Sequence, residues 1–408
     1  MRLCGLLAWR ALAGNLHADP LPHDVYVWQR AWNDSVRNAV AGSGTNFNRI
    51  VALAAEVTWK SQQPQTTLVP LDAPALRASG RPIGLALRIG PSAGPFRSND
   101  AVVMTLTSLA HSLLATAASN DLTITELQLD FDCAESKLAG YQVWVETVRR
   151  RIAPTPLIIT ALPGWLRQPA FAQLAHACDG FVLQVHSLER PQSFHAAFTL
   201  CDPAAAIRAV ELAGKIGRPF RVALPTYGYY VAFDAQDKFV GLAADGPAIK
   251  WPAGTQIREV RSDPVALAKM VMGWGTNHPA ALQGFIWYRL PIENEILNWR
   301  FLTLGVVMSR RVPQADLKVE SRSPEPELVE VFLRNEGSAD FQNGIAIRVR
   351  ARTRVVASDA VGGFGLEKLA GDFSRLHASQ FLLRAGETRQ IGWFRLNRKA
   401  EVELEISK

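Results

Sequence analysis

Asp130 and Asp132 stand two residues apart in the stretch TITELQLDFDCAE, residues 123–135. In a β-strand, residues two apart share a face and lie about 6–7 Å apart. Two carboxyls held that close in a confined site repel each other, so one keeps a proton to higher pH and can donate it as a general acid. The structural alternative is that one of the pair is a buried partner of Arg88 or Arg289. Glu126 and Gln128 fall on the same face as the two aspartates. Leu127, Leu129, Phe131 and Cys133 form the other, apolar face. A strand with an apolar back and a row of acids and amides in front predicts a polar interior, the inside of a barrel or crevice. Glu135 follows closely and is a second candidate acid.

The same alternation, applied to the other predicted strands, turns Gln29, Glu56, Arg88, Thr160, Gln184, His186 and Arg289 inward. It also brings Trp28, Trp32, Trp165, Tyr227, Trp287 and Tyr288 near one rim. Aromatic faces with a few carboxylates and amides suit a sugar, whose C–H face stacks on a ring while its hydroxyls need polar partners. On this reading Trp28, Gln29, Arg88, Trp165, Gln184, His186, Tyr227, Trp287 and Arg289 contact substrate, and Asp130, Asp132 and Glu135 form the catalytic set. Each has a plainer reading beside it. Glu56 and Arg88 pair as a structural salt bridge, His186 is a hydrogen-bonded rim residue, and Trp287 is core. No HExxH, GxSxG or reactive-cysteine context appears, and no histidine or cysteine shows metal-ligand spacing, so neither metal nor cofactor is expected.

The elements that must position these residues alternate strand and helix. Strands are predicted at residues 24–28, 49–59, 83–89, 123–132, 157–162, 180–186, 220–224 and 284–290. A helix follows at about 101–118, capped by Asn99 or Asp100. Another starts after Ser136, with Leu138, Tyr141, Val145, Val148 and Ile152 on one face. Eight strands with helices between them fit a (β/α)8, TIM-type barrel, and no glycine-rich phosphate fingerprint follows the first strand. The barrel is expected over residues 23–311. The long connection 227–264, with Tyr227, Tyr229, Tyr230, Phe233 and Trp251, is expected to form a small subdomain walling a cleft. From residue 312 to 408 the pattern changes to period two with turns at Asn335-Glu-Gly and Arg384-Ala-Gly-Glu, which predicts an immunoglobulin-like β-sandwich. Arg348, Arg350, Arg352 and Arg354 alternate on its wet side.

Composition is that of a globular chain: 408 residues, 48% hydrophobic and 20% charged, with a net charge of +7. The basic excess is spread out, without the stripe of cations and interleaved aromatics that nucleic-acid binding needs. Residues 1–22 resemble a weak secretory signal with cleavage after Ala18, interrupted by Arg10. Periplasmic or envelope and cytoplasmic locations both stay open. No uninterrupted apolar run reaches the ~18 residues of a membrane span. Of the four cysteines, Cys133 is expected as a packed thiol and Cys178 and Cys201 as isolated thiols. Cys4 lies too near the start for lipid attachment. Carbohydrate is the expected partner.

Four segments carry a family resemblance: Tyr26-Val-Trp-Gln-Arg-Ala-Trp32, Leu129-Asp-Phe-Asp-Cys133, Ile159-Thr-Ala-Leu-Pro-Gly-Trp165 and Leu224-Pro-Thr-Tyr-Gly-Tyr229. Together they resemble a bacterial barrel family of unknown function over roughly residues 24–300. That resemblance implies a fold and no reaction. A more distant similarity is to the family-18 chitinases, which carry DxxDxDxE on the fourth strand. Asp130 and Asp132 match its last two aspartates; Pro225, Tyr227 and Gly228 match the seventh strand, and Trp287 the eighth. In that family the final Glu is the acid, and the last Asp orients the substrate acetamido group that serves as nucleophile. Here Ala134 occupies the acid position with Glu135 one residue late, Leu127 replaces the first aspartate, and His186 stands where a Tyr-Asp pair would follow Gln184. The resemblance therefore implies either an acid role for Asp132 or Glu135 in altered geometry, or a site that binds without cleaving.

Overall fold

The computed structural model describes residues 20–60, 63–187, 189–245 and 249–407. The signal-like segment before residue 20, with Cys4 and Arg10, lies outside the described residues. Strand β1 (His23–Val27) is followed by helix α1 (Asp34–Ser43), β2 (Arg49–Lys60), β3 (Gln63–Leu68), α2 (Ala73–Ala78) and β4 (Ile83–Ile89). Next come α3 (Ala101–Ser119), β5 (Ile124–Phe131), α4 (Leu138–Ile152), β6 (Leu157–Ala161), α5 (Pro169–Ala177), β7 (Gly180–Gln184), α6 (Pro203–Gly214) and β8 (Phe220–Pro225). The strands β9 (Gly228–Phe233), β10 (Phe239–Ala243) and β11 (Gln256–Arg261) precede α7 (Pro264–Thr276), β12 (Leu282–Tyr288) and α8 (Phe301–Met308).

Eight of these strands, in the order β1-β12-β8-β7-β6-β5-β4-β2, run parallel, and pairing of β1 with β2 closes the ring. This is the closed barrel that the strand–helix alternation implied. The loop after β2 is more ordered than expected: β3 folds back antiparallel on β2, from Ala55 opposite Leu68 to Lys60 opposite Gln63. The long connection after β8 is a three-stranded antiparallel sheet, β10-β9-β11, whose Val231, Phe233 and Val260 pack with Tyr227, Phe194 and Phe198.

Local chemistry sets the helix starts. Asp100 accepts from the Val103 amide at 2.8 Å, Asp202 from Ala205 at 2.6 Å and Asp263 from Val265 at 2.8 Å. The last two caps are each followed by a proline at the first helical position, whose missing N–H would have had no partner there. Ser136 does not cap α4; it sits inside a 3₁₀ turn, Glu135–Lys137, and Lys137 precedes the helix without a side-chain cap. The predicted face of α4 is buried as expected, with Trp144 added to it. Helix α3 is apolar and 19 residues long. Its Val103, Leu106, Ala110 and Leu113 are buried in the layer between the barrel wall and the helices.

Gly284 in β12 shows where backbone freedom is required. It has φ +151°, and a Cβ there would lie 2.5 Å from the Pro22 carbonyl oxygen. Gly284→Ala is expected to destabilise the barrel by about 1–3 kcal/mol, read from the denaturant midpoint; an unchanged midpoint would show that the crowding relaxes at no cost.

The C-terminal module comprises β13 (Leu317–Glu325), β14 (Leu328–Asn335), β15 (Phe341–Ala351), β16 (Val355–Ala360), β17 (Gly365–Lys368), β18 (Phe373–Leu383), β19 (Thr388–Leu396) and β20 (Val402–Ser407). Its two four-stranded antiparallel sheets, β13-β14-β19-β16 and β17-β18-β15-β20, enclose Val331, Leu333, Ile347, Val349, Leu376 and Phe394. Arg348 and Arg350 lie on the outer face, with the Arg348 guanidinium 4.0 Å from the centre of the Phe373 ring. The module touches the barrel through Arg384, whose Nη2 donates to the Asn298 carbonyl at 2.5 Å.

Candidate active site

The barrel interior is stacked in layers, and the polar face of β5 runs through all of them. At the bottom, Arg221 bridges Asp24 at 2.5 Å and Glu126 at 2.6 Å, and Arg49 reaches Glu126 at 2.5 Å. These two acids and Arg221 are buried. One step up, Tyr26 Oη donates to Gln128 Oε1 at 2.6 Å, and Gln128 Nε2 donates to Glu126 Oε1 at 2.6 Å. Val51, Leu53, Ala86, Val182, Ala223 and Ile286 fill the remaining interior. Alternation along β5 then places Asp130 and Asp132 above this floor, at the C-terminal ends of the strands, where barrel enzymes carry their chemistry.

A cavity of about 210 Å³ occupies that end. Strand order divides its lining into two halves. Arg88, Asp130 and Thr160 come from the neighbouring strands β4, β5 and β6, and Asp132 directly follows β5. The rings of Tyr26, Trp28, Tyr288, Tyr227, Tyr229 and His186 come from β1, β12, β8 and β7 and the segments that follow them. Gln184 stands between the halves. Tyr288 joins the aromatic half together, stacked on His186 at 5.5 Å and edge-on to Trp28 and Tyr227 at 5.4 Å each.

Electrostatics distinguish the two aspartates. Burial, reinforced by the Asp132 charge, lifts the Asp130 carboxyl to about 6, against a weaker downward pull from the hydroxyl of Thr160, which donates to Asp130 Oδ1 at 2.9 Å. Asp132 is surface-accessible at the cavity mouth. Its carboxyl is also raised by partial burial, with Arg88 opposing. Arg88 stays 4.0 Å from Asp130 and divides its charge with Glu56 at 3.3 Å, so it does not neutralise the pair. The Glu56–Arg88 pairing is present, but Arg30 holds Glu56 more closely, at 2.6 Å. His186 is buried, and that burial lowers its ring to about 3, so it stays neutral across the physiological range. Its Nδ1 lies 3.1 Å from Tyr227 Oη.

Of the residues singled out in the sequence, Trp28, Arg88, Asp130, Asp132, Gln184, His186 and Tyr227 meet in this cavity. Five others do not line it. Glu135 leaves the strand direction after Ala134, enters the 3₁₀ turn, and accepts from Gln168 Nε2 at 2.5 Å. Trp165 is buried behind the wall against Tyr141 and Phe171. Trp287 faces outward, fully buried, with Nε1 donating to His23 Nδ1 at 3.1 Å. The inward residues of β12 are Ile286 and Tyr288, the opposite parity to the one expected. Arg289 therefore also turns away and pairs with Glu295 at 2.6 Å. Gln29 joins it there, its Nε2 donating to Glu295 Oε1 at 3.2 Å. Tyr26 and Tyr229 line the cavity without having been singled out as site residues. Tyr26 stands two residues before Trp28, on the same face of its strand, and Tyr229 was expected only in the segment walling the cleft.

The sequence profile of a family described as a domain of unknown function (DUF3142) matches residues 79–293, more than half of the chain. A second domain of unknown function (DUF8456) matches residues 318–397. No curated protein matches the chain. Among solved structures, the spore cortex-lytic enzyme SleL of Bacillus cereus superposes with a TM-score of 0.50 at 12% identity, covering 72% of this chain and 74% of that one. The SleL of Bacillus megaterium gives 0.51 at 10%, with 72% and 74% coverage. A chitinase from Chromobacterium violaceum gives 0.50 at 13%, with 71% and 98% coverage. At these identities the likeness is one of fold, the closed (β/α)8 barrel. By its sequence, then, this chain belongs to the DUF3142 family of domains of unknown function.

Proposed function

We propose that the barrel is a glycoside hydrolase acting on an envelope or extracellular polysaccharide, with acid catalysis supplied by the end of β5. The observation that supports this best is the division of one cavity into an aromatic half and a half carrying a proton-holding carboxyl pair. A sugar ring stacks on Tyr288 and Trp28, with its hydroxyls toward Gln184, Thr160 and Arg88. Asp132, at the mouth, gives its proton to the glycosidic oxygen as the anomeric C–O bond breaks. Water adds at the anomeric carbon, and the proton it releases restores the carboxyl pair. Asp130 sits behind Asp132 and sets how readily the pair holds that proton.

The pair keeps a proton below about pH 6 and gives it up above. Hydrolysis should therefore decline as pH rises through 6, and a pH–rate profile flat through that region would show that Asp130 does not set the proton affinity of the acid. The direct test of the activity is reducing-sugar release by the purified protein from a panel of bacterial and chitin-type polysaccharides. Release supports the reading, and none from the whole panel opposes it.

A second reading is a carbohydrate-binding barrel that does not cleave. It is favoured by one observation: the position where the resembled chitinases carry their acid holds Ala134, and the nearby Glu135 is tied to Gln168 away from the cavity. Glycan binding without turnover would select it.

A further inference from the structure

The cavity's size and what surrounds it bear on which part of a polysaccharide can enter. At about 210 Å³ it falls below the ~300–1,000 Å³ of pockets that take drug-sized ligands. It is blind: the Tyr26–Gln128 hydrogen bond forms its floor, and the Arg221 ionic layer closes the barrel beneath. Binding several consecutive sugars in a groove calls for aromatic platforms leading away from the catalytic carboxyls, because each ring needs its own stacking face. The other partly exposed aromatics of the barrel and its loop sheet, among them Trp59, Tyr230 and Trp251, do not line the cavity. Trp32, Trp165 and Trp287 are buried in the layer behind the barrel wall. Among the described residues, none of the most exposed large apolar side chains, such as Leu68, Val240, Ile249 and Ile257, is aromatic. Beside the mouth, on the β2–β4 side, the rim is ionic, with Arg30 and Arg88 about Glu56.

Resting on the carbohydrate reading above, we propose that this site accepts a single sugar ring, the non-reducing terminal residue of a chain, and so works on chain ends rather than internal linkages. The orientation follows from where the acid sits. Asp132 lies at the mouth, so the scissile oxygen lies there too. The ring whose anomeric carbon it leaves fills the blind pocket, and the rest of the chain extends into solvent. A ring in the interior of a chain carries a neighbour at both ends, and the floor leaves no room for the second.

The test is saturation-transfer NMR with reduced cellotetraose, chitotetraose and mannotetraose, using Asp132→Asn protein so that the probes are not consumed, with the wild type beside it. Saturation confined to the non-reducing terminal ring is expected. It should be lost in both Gln184→Leu and Thr160→Val, with circular dichroism confirming that each variant is folded. Saturation spread over adjacent inner rings, or retained in both variants, overturns the single-ring site and leaves carbohydrate recognition standing. No saturation of any probe by the wild type or the variant overturns the carbohydrate reading, and this inference with it.

Discussion

Asp132→Asn is expected to lower glycoside hydrolysis by ~10²–10⁴-fold, the usual contribution of a positioned general acid, with little loss of stability. Asp132 is accessible at the mouth, and its nearest cation, Arg88, keeps Glu56 as a partner, so the substitution strands no buried charge. Asp130→Asn should separate chemistry from stability more sharply. The side chain is mostly buried, and an asparagine Oδ1 still accepts from Thr160. The folded carboxyl, raised to about 6 from 3.8, binds its proton more tightly than the unfolded one. The wild type therefore loses stability as pH rises from about 4 to 6, by roughly 2–3 kcal/mol. The asparagine variant does not carry that penalty. Its stability relative to wild type should be greater at pH 8 than at pH 4, while its hydrolysis falls. Thermal melts at the two pH values with reducing-sugar assays alongside read both effects. Equal melting differences at both pH values would show that Asp130 is not held at raised pKa, and undiminished release by both variants would take the pair out of the reaction.

Arg221→Leu is expected to destabilise the barrel by about 3–5 kcal/mol, the cost of leaving buried charge without its partner. Arg221 is the buried cation shared by Asp24 and Glu126, and Arg49, more exposed, reaches Asp24 only at 3.8 Å. Against the 5–15 kcal/mol that typically stabilises a domain, such a loss would be visible in any denaturant titration. Burial already raises the Asp24 carboxyl, with Arg221 the largest opposing influence. Without Arg221 it rises further, so the variant should regain stability as pH falls and the carboxyl takes up a proton. A control, Asp24→Asn with Glu126→Gln and Arg221→Met, removes all three charges together and should recover much of the loss. A variant as stable as wild type at neutral pH would mean that Arg49 alone satisfies both acids.

How much of the site was legible depended strand by strand on whether polarity marked a face. In β5 the contrast between Gln128, Asp130 and Asp132 on one side and Leu127, Leu129 and Phe131 on the other set the parity, and the structure keeps it. In β12, LQGFIWY, both faces are apolar because a parallel barrel strand is covered on both sides. Nothing in the pattern then distinguishes Trp287 from Tyr288 as the inward ring, and the tryptophan proved to be the outward one. Gln29 and Arg289 were expected inside the barrel as substrate contacts, and their gathering at Glu295, which lies beyond the last strand, was not legible. The ionic layer about Arg221 was hidden for a related reason. Its members come from β1, β2, β5 and β8, and only closure of the barrel brings β1 beside β2.

The sequence by itself determined the class of fold, the break between barrel and sandwich, and the two inward aspartates. These rest on local periodicity and on the cost of burying a carboxyl without cause, both written in consecutive residues. Tertiary structure alone decided which aromatics face the cavity, that Glu135 turns to Gln168, that the acid and aromatic halves oppose each other, and that the floor is closed. Each of those depends on strand order around a closed ring and on one-residue parity, which flips every side chain on a strand and leaves no trace in its composition.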